Sequence, residues 1–210
     1  MASQTFTIAV TDDNIEVLRY GAVYPPVTPT HNHGYCRTTR QIATGTYNVC
    51  VACLRWDTSS LGAGAVVTGA QLKLYPFYDD RADGRSLQLE WYDNTNWPIG
   101  DKDWAQDAQG DAGTFALSSL DPTNQWHTLD LATLTGVNKT GYTGMRLHIT
   151  GGTPTGVNQC YAGSTSLGNP VQLVVTYTAG YQHKVLGCLP AAIAKIMGVP
   201  TANVGKFCGV

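Results

Sequence analysis

An antiparallel β-sandwich is the fold this sequence predicts, and three observations predict it. Apolar and polar residues alternate with a period of two in short runs along most of the chain. Turn-forming Gly, Pro, Asn and Asp separate those runs at the spacing of a sandwich. Charge is sparse: Asp, Glu, Lys and Arg make up 13% of the 210 residues, about half the share usual in a soluble domain, while Gly reaches 23.

Taken in order, "TFTIAV" and "NIEVLRY" read as strands, and the Pro-rich "VYPPVTPTHNHG" reads as a loop. Strands follow in "TYNVCVACLRWDTSSL", "VTGAQLKLYPF" and "RSLQLEWYDNTNW". A stretch rich in Gly, Asp and Gln reads as a loop, and "HTLDLATL", "TGMRLHIT" and "PVQLVVTYT" complete the set. Only the "SSL" stretches near residues 60 and 119 leave room for a helical turn. The strand parity predicts a core of Leu54, Trp56, Leu72, Leu74, Leu87, Leu89, Trp91, Leu129, Leu131, Leu147, Leu173 and Val175.

Residues 1–178 thus form one jelly-roll-like sandwich domain, and residues 181–210 form a tail of another kind. In the tail Lys recurs at 184, 195 and 206, with Gly three places later at 187, 198 and 209. Pro190 and Pro200 suit first helical turns, and Gly198 and Gly209 suit helix ends, so short helical repeats are expected. Ile193, Ile196 and Met197 share one helical face, and Val204 and Phe207 repeat it. Pieces of about two turns are too short to hold themselves, which makes these five residues candidates for assembly contacts with other copies.

The composition excludes several functions. A formal charge of −2 supplies no basic field for nucleic acid or anionic membrane, and no apolar run approaches a bilayer span. The tail's second half imitates a helix-turn-helix but offers only Lys206 for phosphate. No Ser-His-Asp set, Gly-x-Ser-x-Gly elbow or phosphate loop is present, so no enzyme and no cofactor is expected. His127 and His148, in expected strands near Asp130, are the remaining pair with acid–base chemistry, read as strand histidines bonded to neighbours. "MASQTFTIAVTDD" lacks a positive and an apolar region, so no secretory leader is expected at this start.

Six cysteines in a chain of this length are not a disulfide scaffold. Cys50 and Cys53 lie three apart on an expected strand and face opposite ways, so buried free thiols are predicted. His31, His33 and Cys36 have ligand-like spacing but no second half of a zinc site, and read as a polar loop. Asp79, Asp80 and Asp83 beside Gly84 are the candidates for a cation, although calcium-loop spacing is absent and a solvated hairpin turn is the reading taken. For a glycan, which stacks on aromatic rings, the candidates are Tyr92, Asp93, Asn94, Trp97 and Trp104. Tyr92 shares parity with Gln88 and Glu90 and is expected to point outward.

"CLRWDTSSLGAGAVVTGAQLKLY" resembles the signature of DNRLRE-type, disaggregatase-related domains. "WHTLDLATLTGVNKTGYTGMRLHIT" and "NQCYAGSTSLGNPVQLVVTYT" are similar to that family's later segments, in the same order over roughly residues 40–178. The resemblance implies a jelly-roll-like carbohydrate-binding or display domain without catalytic residues. The tail resembles the Lys-Val-x-Gly-Val-type repeats at the ends of phage structural proteins. Together they imply a non-enzymatic virion protein, a capsid decoration or tail appendage, assembled in the host cytoplasm with other virion proteins. The alternative is a secreted or cell-surface bacterial carbohydrate-binding or adhesion module.

Overall fold

The computed structural model describes residues 1–92, 97, 109–163, 165 and 168–179, with the backbone of 195–196 and 199–200. The strands are β1 (Ala2–Thr7), β2 (Asn14–Gly21), β3 (Thr28–His33), β4 (Cys36–Ala43), β5 (Thr46–Asp57), β6 (Val66–Leu74), β7 (Pro76–Arg81), β8 (Ser86–Tyr92), β9 (Gly110–Ala116), β10 (His127–Asp130), β11 (Tyr142–Ile149), β12 (Asn158–Ala162), β13 (Gln172–Thr178), β14 (Lys195–Ile196) and β15 (Val199–Pro200). Every pairing is antiparallel, and among the described residues no helical stretch exceeds the four residues Leu117–Leu120. The fold is an all-β, jelly-roll-like sandwich. Short 3₁₀ turns at Ser59–Leu61 and Leu117–Leu120 fall where the sequence leaves room for them, and a further one at Thr11–Asp13 forms where none was expected.

A small sheet runs β1-β13-β6-β10. The large sheet branches at β5. Residues 52–54 of β5 pair with both β2 and β11, so these two strands lie on opposite edges of β5. Residues 47–50 pair with both β2 and β4 in the same way. Along its C-terminal half the sheet therefore reads β3-β2-β5-β11-β8-β9, and along its N-terminal half β4 leads off to β12 and β7. Twelve residues make β5 long enough to serve both halves.

Between the sheets lies one continuous apolar core. All twelve core positions expected from strand parity are in it, from Leu54 and Trp56 to Leu173 and Val175. Burying Leu, Val and Trp on one face of each sheet is the main stabilising term, at roughly 25 cal/mol per Å² removed from water. The Trp56 indole satisfies its N–H inside that core on the Val171 carbonyl at 3.2 Å.

Four sequence expectations are corrected. Residues Thr28–His33, read as loop, form β3, which among the described strands pairs only with β2 and tolerates Pro29 because an edge strand needs no second ladder. Gly110–Ala116, also read as loop, forms β9 on β8; its register shifts beside Gly113, whose φ of 142° favours glycine and hides the alternation. The "YDDRADGR" turn is shorter than expected, since Asp79 and Asp80 belong to β7 and only Asp83 sits in the turn. In the tail, Lys195 and Ile196 pair with Pro200 and Val199 as extended backbone rather than as a helical turn. The side chains of Ile193, Ile196, Met197, Val204 and Phe207 lie outside the described residues.

Candidate functional site

The outer face of the large sheet gathers most of the chemistry. Cross-strand register sets side chains in rows. One row places Ile15 opposite Cys53, Cys53 opposite Arg146, Arg146 opposite Glu90 and Glu90 opposite Asp111. The next row places Arg55 opposite Gly144 and Gly144 opposite Tyr92. On β3, His33 stands opposite Ile15 and His31 opposite Val17.

A second, smaller apolar cluster forms at the centre of this face from Ile15, Val17, Val51, Cys53 and Tyr92, with Trp97 packed against it. Tyr92 does point to the outer face, as parity requires, but it is only 5% exposed. An outward strand position is buried here because the face carries its own cluster. Trp97 donates its indole N–H to the Asp12 carbonyl at 2.6 Å, and the Arg55 guanidinium lies 4.6 Å from the Trp97 ring centre. Trp97 is therefore held by packing, a hydrogen bond and a cation, rather than presented as an open platform.

Arg55 is clamped between rings. Its guanidinium lies 4.4 Å from the centre of the Tyr142 ring as well, and its Nε–H donates to Asp13 at 2.6 Å. Asp13 belongs to the turn Thr11–Asp13, which also carries Asp12, the Trp97 acceptor. One short turn thus positions both the indole and the guanidinium. Tyr142 is 38% exposed, which makes it the aromatic of this group most open to a ligand.

Beside the clamp lies a charged triad. Arg146 donates from Nε and Nη2 to one oxygen of Glu90 at 2.9 and 2.7 Å, and His148 Nε2 lies 3.2 Å from the same oxygen. Burial opposes ionisation of Glu90, but the hydrogen bonds from His148 and Arg146 outweigh it and bring its pKa down to about 2. Next to the triad, Gln88 donates to Asp111 at 2.7 Å and accepts from the Thr114 hydroxyl at 2.5 Å. This surface offers amide, guanidinium and carboxylate groups in fixed directions, a set suited to hydroxyl-rich ligands.

The other sequence candidates disperse. His33 Nδ1 lies 2.9 Å from Asp12 at the edge of the outer face, whereas Cys36 is buried in the main core, so His31, His33 and Cys36 do not converge. Asp83 accepts from the Thr155 hydroxyl and amide, from Arg85 and from Asn158, and the Thr155 hydroxyl leads in holding its carboxyl well below the usual range. Asp80 accepts from Gln159 at 2.6 Å, and the Asp79 side chain lies outside the described residues. Among the described residues no group of three or more His, Cys, Asp and Glu is placed to hold a metal ion. Asp93, Asn94 and Trp104 lie outside the described residues.

His127 and His148 do not form a pair with Asp130. His127 contacts the Pro122 carbonyl at 2.9 Å, Asp130 accepts from Gln71, and His148 sits on Glu90 in the other sheet. Cys36, Cys50, Cys53 and Cys160 are free and buried, as the sequence predicts, and Cys188 and Cys208 lie outside the described residues. Burial pushes the Cys36 and Cys50 thiols well up, so both remain protonated at neutral pH.

Sequence reasoning missed Arg55, Tyr142, Glu90 and Arg146, and it set His148 beside Asp130 rather than Glu90. Parity alone would have placed Glu90, Arg146 and His148 on outer positions, but the pairing of β8 with β11 that joins them is not written in either strand. Comparison with protein-family models and with curated proteins returned no match.

Proposed function

We propose that this chain is a non-enzymatic recognition and assembly protein of a phage particle, with the outer face of its large sheet as a carbohydrate-binding surface. The observation that carries the glycan half is the Trp97–Arg55–Tyr142 clamp beside the Glu90–Arg146–His148 triad. Sugars are gripped by stacking on aromatic rings and by hydrogen bonds from rigid polar groups, and this face supplies both. Tyr142 stacks on the sugar, Arg55 and Gln88 bond its hydroxyls, and Trp97 holds the platform in place. The particle half rests on the tail's 11-residue repeat and on the resemblance to phage structural repeats. Its apolar positions, docked on neighbouring copies, make the domain multivalent, which raises the avidity of a weak sugar site.

The test compares the full chain, a chain ending at Gly180 and the Tyr142→Ala variant on a glycan array and by light scattering. The full chain is expected to be oligomeric and to bind, the truncated chain to be monomeric and to bind more weakly. Tyr142→Ala should lose about tenfold or more in affinity, since stacking is worth about 1–3 kcal/mol per contact by analogy with base–aromatic stacking. Absence of any glycan signal for the full chain removes the binding half. Identical size of full and truncated chains removes the assembly half.

A further inference from the structure

We infer that Arg40 anchors an oxyanion site, one that takes a carboxylate, phosphate or sulfate group, apart from the proposed sugar face. Among the described residues, Arg37, Arg55, Arg81, Arg85 and Arg146 each pair with a carboxylate, on Glu16, Asp13, Asp121, Asp83 and Glu90 respectively. Arg40 has no such partner. It is half-buried on β4 beside the end of β11, where its Nε–H donates to the Ile149 carbonyl at 2.7 Å and its Nη1 to the Tyr24 hydroxyl. Both acceptors are neutral. Its Nη2 is neither bonded nor enclosed, so it is open to a ligand.

A partly desolvated charge held only by dipoles is costly, because proteins normally set an opposite charge beside it. The surroundings of Arg40 add to that cost. Burial, and then the charge of Arg85, hold its guanidinium below the ordinary pKa against the favourable Tyr24 hydroxyl. The acid beside Arg85 does not serve Arg40: Asp83 accepts from Arg85, from the Thr155 amide and hydroxyl, and from Asn158. Arg19 on β2 and Arg40 on β4 both stand opposite Val49 of β5, so two guanidiniums flank that residue on one side of the sheet. An oxyanion on Nη2 supplies the missing charge, through bonds roughly twice as strong as neutral ones. The Tyr24 and Tyr47 rings, 5.5 Å apart and edge to face, offer apolar surface to whatever carries the anion, such as a sugar acid or sugar phosphate. Along β5, Val49 lies roughly 20 Å of extended strand from Arg55, which separates this site from the Trp97–Arg55–Tyr142 clamp.

The experiment uses the full chain at constant ionic strength, with chloride replaced stepwise by a probe anion. Inorganic phosphate and sulfate represent the free ion, and glucuronate and a hexose phosphate represent the sugar-borne group. Calorimetry is expected to show saturable binding, and nitrogen NMR of the arginine side chains to show the Arg40 signals shifting while those of Arg146 stay in place. Arg40→Met should weaken the anions about tenfold or more, the loss of a hydrogen bond to a charged group, and Arg40→Lys should retain part of the affinity. Equal binding by the parent chain and Arg40→Met overturns the inference. So does a shift at another arginine in place of Arg40, a readout that needs no variant to fold, and so does the absence of saturable binding by any of these anions. Tighter binding of glucuronate or the hexose phosphate than of phosphate and sulfate identifies the ligand as an acidic saccharide, and equal or weaker binding identifies it as the free ion; either result upholds the site. The sugar face stands or falls separately, on the loss of glycan binding by Tyr142→Ala.

Discussion

Glu16 shows at the scale of one residue how much a partner matters. It lies on β2 opposite Ala52, only 1% exposed, a carboxylate among apolar side chains and thiols. Arg37 and Asn32 both donate to its Oε1. Such a pair contributes little net stability compared with an apolar substitute, yet losing one member strands a buried charge. Arg37→Ala is therefore expected to lower unfolding free energy by about 3–5 kcal/mol in urea titrations. Adding Glu16→Gln to that variant should recover part of the loss, since the stranded charge is then gone. Equal stability of the single variant and the parent chain would refute this account.

Among the elements, the turn at Thr135–Gly136 is fixed by what lies beneath it. Trp91 ends the inward side of β8, is 1% exposed, and donates its indole N–H to Thr133 at 2.8 Å. A Cβ at Gly136 would stand 2.2 Å from the Trp91 ring. Neither side can yield: the ring is enclosed by the core and tethered to Thr133, and the turn is closed by the Val137 amide on the Leu134 carbonyl at 3.2 Å. Gly136→Ala should cost about 1–3 kcal/mol through overpacking. Near-ultraviolet circular dichroism should show the Trp91 environment altered. A glycine in another loop, Gly152, has open space at its Cβ position, and Gly152→Ala serves as the control expected to change stability little.

Across the whole molecule, acid stability follows from the carboxylates held below their ordinary range. Glu90 titrates at about 2 in the folded protein, below its ordinary 4.5. A depressed carboxylate contributes stability that is fully present above its ordinary pKa and is lost as pH falls through the folded value. For Glu90 that window runs from about 4.5 down to about 2. Asp83 is shifted in the same direction and adds to the same acid limb. Because the Glu90 triad is partly open to water, screening reduces its contribution to about 1 kcal/mol. Glu90→Gln should thus lower Tm by about 2–4 °C at pH 7, with the gap to the parent closing towards pH 2. A gap that stays constant from pH 7 to pH 2 would show that Glu90 acts through shape rather than charge.

The alternation of Leu87, Leu89 and Trp91, or of Leu72 and Leu74, was enough to predict strands, their inward faces and the sandwich class. Those features are local, because burial of every second residue is a property of one strand against water. The same logic placed Cys50 and Cys53 on opposite faces: Cys53 joins the outer cluster, while Cys50 donates to the Arg37 carbonyl. What the sequence could not express is which strands become neighbours. Pairing of β5 with β2 on one edge and with β11 and β4 on the other unites Asp13, Arg55 and Tyr142, residues far apart in the chain. Tyr92 follows the same division, since parity sent it outward and only the apolar cluster of Ile15, Val17, Val51 and Cys53 buried it. Strand identity is set by short-range periodicity, whereas the site arises from long-range register, which depends on the packing of the complete sheet.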